Sequence, residues 1–453
     1  MRDIEVSVPE LHRFRLPDPP CGQELVQAVR ASLRLLAVGP DRITVPILAA
    51  AYRAPLGGAD FSTYIHGKTG VAKSELAALC QQHYGATMTR TNLPASWSST
   101  ANSTELLAFK AKDVILTVDD FVPMGSINDI QRLHGQADRL LRNQGNRAGR
   151  QRMRSDGSLA AVRPPRGLIV STGEDIPRGE SLGARLVLVE VRPGDINWPA
   201  LTKCQNDAAG GLYCQAMAGF IQWLAPRLDT MKTGRQAGLA KLRQALSSTG
   251  HRKAANNFAD LALGLQAILE FANAIGAIAT GQQEQLWDRC WGALKELSGA
   301  QAENQHANDP CRRFIDILSA GIASGEAHIA DTLGNAPNDA SAWGWRKNEL
   351  RLEPKGQRVG WIDGTDLYLN DEAAYQVVQT RARAAGDAFP VSLSTLRKRL
   401  RDAALIQIQV EVRDGKQVPR LQVQRTCQGR RERVLWMKAD VFGLEGTEES
   451  EAA

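Results

Sequence analysis

Apolar and polar residues alternate along this chain in two rhythms, and the change from one to the other divides it into zones. In CGQELVQAVRASLRLLA (21–37) and DRITVPILAAAYRAPL (41–56) apolar residues recur every three or four positions, the spacing of a helix face. The pair Gly57-Gly58 closes this zone. From 59 to 197 short β-type runs take over (FSTYIHG, DVILTVDDF, RGLIVSTGE, ARLVLVEV), separated by loops and helical stretches. Buried strands alternating with helices predict an α/β core. Helical spacing returns over 198–335, as in GLYCQAMAGFIQWLAPRL and FADLALGLQAILEFANAIGAIAT. The turn-rich GNAPNDASAWG (334–344) then reads as a linker.

The last zone, 345–443, mixes both rhythms. VGWID and TDLYL read as short strands around a turn, followed by a helix, DEAAYQVVQTRARAAG, and a second helix, SLSTLRKRLRDAALI. On that second helix Leu393, Leu396, Leu400 and Ala403 share one face, leaving Arg397, Lys398 and Arg401 towards the other. IQIQVEVRDGKQVPRLQVQR follows as two alternating strands around Asp414-Gly415-Lys416. Helix, basic helix and basic hairpin in this order predict an α+β winged helix. Its second helix would lie in the major groove, and its wing, with Lys416, would touch backbone. Residues 444–453 form an acidic tail with too few apolar residues to fold.

Composition changes this picture little. At 453 residues the chain has room for two or three domains, and 43% hydrophobic with 23% charged residues is ordinary for a soluble globular protein. No run of 18 apolar residues is present to span a membrane, and MRDIEVSVPELHRF lacks the apolar segment of a signal peptide. The seven cysteines contain no CxxC pair, which argues against a zinc site or disulfide framework and for a reducing cytoplasm. Charge says more. The net charge is +6, yet residues 341–440 alone hold 19 Lys and Arg against 12 Asp and Glu, and 139–166 holds eight arginines and one acid, Asp156. Two basic concentrations on a nearly balanced chain point to a polyanion partner.

The sharpest chemical signal is Gly67-Lys68-Thr69-Gly70-Val71-Ala72-Lys73-Ser74, which follows a β-type run and opens a helix. In that context glycines let backbone N–H groups point at phosphate oxygens, and the helix N-terminus adds partial positive charge. Lys73 would reach the β and γ phosphates of ATP and Ser74 would ligate Mg2+. Ala72 stands where glycine is usual, and the reading expects that position to avoid positive φ. Some 40 residues on, the apolar strand Asp113–Phe121 ends in Asp119 and Asp120. Asp119 would sit near the metal, and Asp120 could polarise the attacking water. The strand Leu168–Glu174 ends in hydroxyls, and there Ser171 or Thr172 could orient that water or sense the γ-phosphate. Arg185, before LVLVEV, is a candidate arginine finger for a neighbouring subunit's nucleotide, with Arg178 and Arg192 as alternatives.

The order of GKTGVAKS at 67–74, ILTVDDF at 115–121 and the block 145–191 resembles the AAA+ ring ATPases. More narrowly, it resembles the superfamily-3-type helicase modules of phage, plasmid and mobile-element primase–helicases, over about 60–197. The resemblance implies a homo-hexameric ring with ATP sites between subunits. It gives Lys73 the phosphates, Ser74 and Asp119 the magnesium, Asp120 the catalytic acid, Thr172 (or Ser171) the sensor and Arg185 the finger in trans. It also implies that a β-hairpin before the sensor strand, here Arg150–Val162 around Asp156-Gly157, grips single-stranded nucleic acid in the pore with Arg147, Arg150, Arg152 and Arg154.

The expected architecture is therefore an α/β P-loop NTPase (AAA+) core flanked by helical segments, with a C-terminal α+β winged-helix domain. Its parts are a helical collar over 1–58, the ATPase core over 59–197, a helical domain over 198–335, the DNA-binding domain over 345–443 and the tail. The expected activity is that of an ATP-dependent DNA helicase or translocase. It would take single-stranded DNA in the pore and duplex at the winged helix, with a separate primase or polymerase as partner and no membrane. The alternative is an oligomeric, DNA-stimulated ATPase that initiates, loads or regulates without unwinding.

Overall fold

The computed structural model describes residues 8–151, 153, 155–246, 252–307, 309–348, 351–385, 389–413 and 416–443. The chain divides into two compact units, one up to Gln305 and one from His306.

The first unit opens with helices α1 (Gly22–Leu33) and α2 (Asp41–Arg53), followed by strand β1 (Ser62–His66) and helix α3 (Lys73–Gln81). Next come β2 (Ala95–Ser96), α4 (Ala101–Lys110), β3 (Ile115–Phe121), α5 (Ile127–Asn146), β4 (Leu168–Gly173), the one-turn α6 (Glu180–Gly183) and β5 (Leu186–Glu190). Five helices complete it: α7 (Trp198–Ala209), α8 (Leu212–Leu224), α9 (Leu228–Gln244), α10 (Arg252–Ala274) and α11 (Thr280–Ala307). The strands form one parallel sheet in the order β2-β3-β4-β1-β5.

Side chains alternate across that sheet, as strand geometry requires. Leu168 and Val170 enter the core shared with the N-terminal and C-terminal helices, whereas Ile169, Leu116 and Val118 enter a second core with Leu140 and Leu141 of α5. Helices cover both faces, the arrangement that a parallel sheet of near-continuous aliphatic strands needs.

The collar, core and helical domain read from the sequence share one hydrophobic core, in which Ile47 and Leu48 of α2 join Leu79 of α3 and Leu265 and Ile268 of α10. A buried ion cluster fastens the same junction. Arg53 at the end of α2 is fully buried and donates to Asp260 Oδ2 of α10 (2.8 Å) and to Gly57 O (2.9 Å), while Arg235 of α9 reaches the same Asp260 oxygen at 2.8 Å. Burial pulls the Arg53 pKa down and Asp260 pushes it back up.

The second unit contains α12 (Pro310–Ala323), β6 (Ala327–Asp331), β7 (Trp345–Asn348), β8 (Arg351–Pro354), β9 (Gln357–Asp363) and β10 (Asp366–Leu369). Then follow α13 (Asp371–Ala384), α14 (Leu393–Asp402), β11 (Gln409–Arg413), β12 (Lys416–Arg420), β13 (Val423–Cys427) and β14 (Arg430–Lys438). Its main sheet runs β13-β14-β10-β9-β6, with β11-β12 and β7-β8 as separate hairpins. The sequence reading put 310–335 with the preceding helices and 334–344 in a linker. Instead, Phe314, Leu318, Ile329, Ala340 and Trp343 all join the core of this unit. A buried tryptophan outweighs the turn composition around it. The acidic tail, 444–453, and the Asp414-Gly415 turn lie outside the described residues.

Candidate nucleotide-binding site

The site forms at the C-terminal ends of the parallel strands, where α/β sheets place their ligands. β1 runs into the loop Gly67–Ala72, and α3 starts at Lys73 with its N–H groups facing the loop. Gly67 has φ +149°, and a Cβ there would stand 2.1 Å from Val191 O, so only glycine lets the loop pass β5. Ala72 corrects the sequence expectation. It lies in the left-handed region (φ 67°, ψ 24°), because the loop must reverse there to enter α3. Alanine in place of glycine strains this turn by about 1 kcal/mol. The loop geometry is kept at that cost.

Lys73 Nζ donates to the loop's own carbonyls, Gly67 O and Lys68 O, both at 2.8 Å. Burial lowers the Lys73 pKa, and the carboxylates of Glu174, Asp120 and Asp119, in that order of strength, counteract it. The lysine is therefore the one cation in this group, facing three carboxylates.

Thr172 fixes two of those acids. Its Oγ1 donates to Asp119 Oδ1 (2.5 Å) and accepts the Asp120 N–H (3.0 Å). The β3–β4 register shifts between Val118 and Phe121, and Asp120 takes φ 68° in that irregularity, so the two acids leave the strand in different directions. Ser171, the other hydroxyl considered, is fully buried. It donates to Val118 O (3.0 Å) and accepts from Trp97 Nε1 (2.8 Å), which commits it to the core. Of the two, only Thr172 meets the acids.

Glu174, which in the sequence only ends a strand, joins the site. Its carboxylate accepts from Thr69 Oγ1 and supplies the strongest of the electrostatic contributions holding the Lys73 charge. The signal available for it was position: it follows the strand that lies between β3 and the phosphate-loop strand β1.

A solved structure described as an active helicase, Cch of SCCmec type IV, is similar in fold. The TM-score is 0.56 at 12% sequence identity, over 95% of this chain and 73% of that one. This chain has a helicase-like fold. No protein-family profile matches it, and neither does any curated protein.

The remaining candidate residues lie elsewhere in that fold. Arg185 stands just before β5, at the opposite end of the sheet, and donates to Asn146 Oδ1 from Nε (3.0 Å) and Nη2 (2.8 Å). A five-residue strand separates it from the phosphate loop by about 17 Å. Of its alternatives, Arg192 pairs with Glu190 at 2.7 Å, and Arg178 binds His134 Nδ1 through its backbone N–H (3.1 Å). Arg147 ends α5 in the left-handed region, and its guanidinium lies against Gly58, away from the hairpin.

Between α5 and β4 the chain does form a small hairpin. Met153 and Leu159 bridge in antiparallel fashion, and Asp156 Oδ1 accepts the Ser158 N–H (2.9 Å) and hydroxyl (2.6 Å) around Gly157 at φ 79°. Arg150 on its first arm is exposed. Arg152 and Arg154 lie outside the described residues.

In the second unit α14 buries Leu396 and Leu400 as its spacing predicts, but Leu393 is only half-buried and Ala403 is exposed. Lys398 is exposed. Arg397 is anchored instead: its Nε donates to Asp371 Oδ2 (2.5 Å), a carboxylate only 2% exposed that also accepts from Gln422 Nε2 at 3.1 Å. Arg401 pairs with Asp402 at 2.6 Å. Lys416 opens β12, and its side chain is not among those described.

The residues present fit a magnesium nucleotide. Among the described residues no three Asp, Glu, His or Cys side chains converge as a ready-made metal site. One carboxylate (Asp119) and one hydroxyl (Ser74) at a helix N-terminus instead suit a Mg2+ that takes its other ligands from phosphate and water.

Proposed function

We propose that this chain hydrolyses ATP and uses the energy to move single-stranded DNA, as an ATP-dependent helicase or translocase serving a mobile element. The observation that carries the reading is the clamp at Thr172, which holds Asp119 and Asp120 beside the lysine of a phosphate loop. The neighbouring fold of an active helicase from SCCmec supports it.

In this reading the loop N–H groups of Gly67–Ser74, with Thr69 and Gly70, cradle the phosphates. Lys73 leaves its two loop carbonyls for phosphate oxygens. Ser74 and Asp119 hold Mg2+, which neutralises charge on the leaving phosphates. Asp120 polarises the attacking water, while Thr172 orients Asp119 and the Asp120 backbone. Thr69 releases Glu174 when the phosphates enter, since two anions would otherwise share one donor.

Arg185 completes a second subunit's site. Its distance from its own loop supports action in trans, and hence a ring, with six copies as the expected number. The hairpin at 150–162, with Arg150, Arg152 and Arg154, grips a strand through its phosphates. The order α13, α14 and β11–β12 supports a winged helix that touches duplex through Lys398, Arg401 and Lys416. Priming falls to a separate primase or polymerase, and the work is done in the cytoplasm.

The test is ATP hydrolysis with and without single-stranded DNA, in wild type, Lys73→Ala and Arg150→Ala/Arg152→Ala. DNA should stimulate turnover, Lys73→Ala should abolish it, and the arginine pair should remove the stimulation alone. Turnover indifferent to DNA would remove the hairpin from the mechanism. DNA-stimulated turnover without strand separation would make the chain an initiator, loader or regulator.

A further inference from the structure

The main sheet of the second unit curls until its edges meet. Gln428, just past β13, donates its N–H to Thr332 O just past β6, across the full width of five strands (2.8 Å). On one face of this sheet three rings stand in a row. Tyr368 lies directly opposite Trp361 on β9 and Trp436 on β14, and directly opposed residues share a face.

Two guanidiniums cover the row. Arg358 lies 4.7 Å from the centre of the Trp361 ring, and Arg425 lies 4.8 Å from Trp436 and 5.2 Å from Tyr368. Asp366 ties down the edge by accepting from Trp436 Nε1 (2.8 Å) and Lys438 Nζ (2.7 Å). Two donors here are unused. Trp361, 2% exposed, and Arg425 each bury a ring or guanidinium N–H with no hydrogen-bond partner among the described residues. Beyond the rings, Arg430 of β14 is exposed on this face, with Glu432 between it and Trp436, while Arg431 and Arg433 point from the other face.

We propose that this face binds single-stranded nucleic acid. One unpaired base stacks on the ring-backed plane of Arg425, beside the partly exposed Trp436, and the strand's phosphates meet the exposed Arg358 and Arg430. Charge selects a polyanion. The flat, pre-stacked guanidinium selects a planar group, and planar groups in a duplex are already stacked on one another. An acidic protein segment would gain from the charge but not from the rings. The proposal stands on the second unit alone and does not depend on ATP hydrolysis or on the 150–162 hairpin.

The experiment measures binding of the full chain, without ATP, to a labelled oligothymidylate and to a duplex of equal length, by fluorescence anisotropy. Arg425→Ala and Trp436→Ala should each weaken the single strand about tenfold, leave the duplex within about twofold, and leave basal ATP turnover unchanged. Arg425→Lys should not rescue, because an ammonium offers no plane. The same loss is expected in an Arg150→Ala background. Unchanged single-strand affinity in Arg425→Ala that melts like wild type would overturn the proposal. So would an equal loss on duplex, or competition by polyglutamate as effective as by oligothymidylate.

Should Arg425→Ala melt early, the surface change Arg430→Ala decides. It should reduce the salt dependence of single-strand binding by about one unit of slope. An unchanged slope and affinity would reject the site.

Discussion

The two ends of the parallel sheet in the first unit are made from the same strands and hold opposite chemistry. At the C-terminal end one ammonium, Lys73, faces Asp119, Asp120 and Glu174, with Thr172 bridging two of the acids. At the N-terminal end Arg185 leans on Asn146, Arg147 on Gly58, and the arm bearing Arg150 begins. One end gathers three acids around Lys73. The other holds Arg185 and Arg147 beside the paired acids Asp60 and Asp260. The two ends carry different side chains on the same strands, which makes them separable by mutation.

The largest effect should come from the far end. Arg185→Ala should lower ATP turnover about 10³-fold while nucleotide binding persists, as removal of an arginine finger does. Mixing it with Lys73→Ala should restore part of the turnover, because some interfaces then combine an intact lysine with an intact arginine. Failure of the mixture to recover, followed by steady-state hydrolysis, would break the comparison.

A smaller effect should come from Thr172→Val at the near end, with turnover falling by about 10- to 100-fold. Ser171→Ala should stay within about twofold in turnover and cost about 1–2 kcal/mol in urea unfolding, because it unpairs Trp97. Equal turnover losses in the two variants would mean that the clamp is only structural.

The smallest effect should be a gain. Ala72→Gly should raise stability by about 0.5 kcal/mol, as relief of left-handed strain outweighs the entropy glycine returns to the unfolded chain. A net loss in the same unfolding experiment would place Ala72 outside the left-handed region.

Much of this was legible in the chain. Ile115–Val118 and Leu168–Val170 are runs of buried side chains, and such runs announce parallel strands. The loop at 67–74 announced itself through glycines and a lysine. The strand Ala95–Ser96 is two residues long and carries no period to detect. Ala72 showed its identity in the sequence but not its φ, which depends on how the loop must reverse into α3. Arg397 looked like a surface cation because spacing gives the face of a helix, while its partner, Asp371, comes from the start of a different one. Glu174 belonged to no pattern at all. Likewise 310–335 continued a helical stretch in composition, and only the burial of Phe314 and Ile329 assigns it to the second unit.

The ion cluster at Arg53 bears on how this molecule can be dissected. A fragment that starts after the glycine pair and keeps α10 would retain Asp260 and discard the Arg53 guanidinium that answers it. Breaking a buried pair on one side costs about 3–5 kcal/mol, a large share of what a domain has to lose. The smallest piece able to stand alone is therefore the whole stretch from the first helices to α11. The N-terminal helices belong to the foundation of the parallel-sheet unit, and no boundary drawn from motifs would have left them attached.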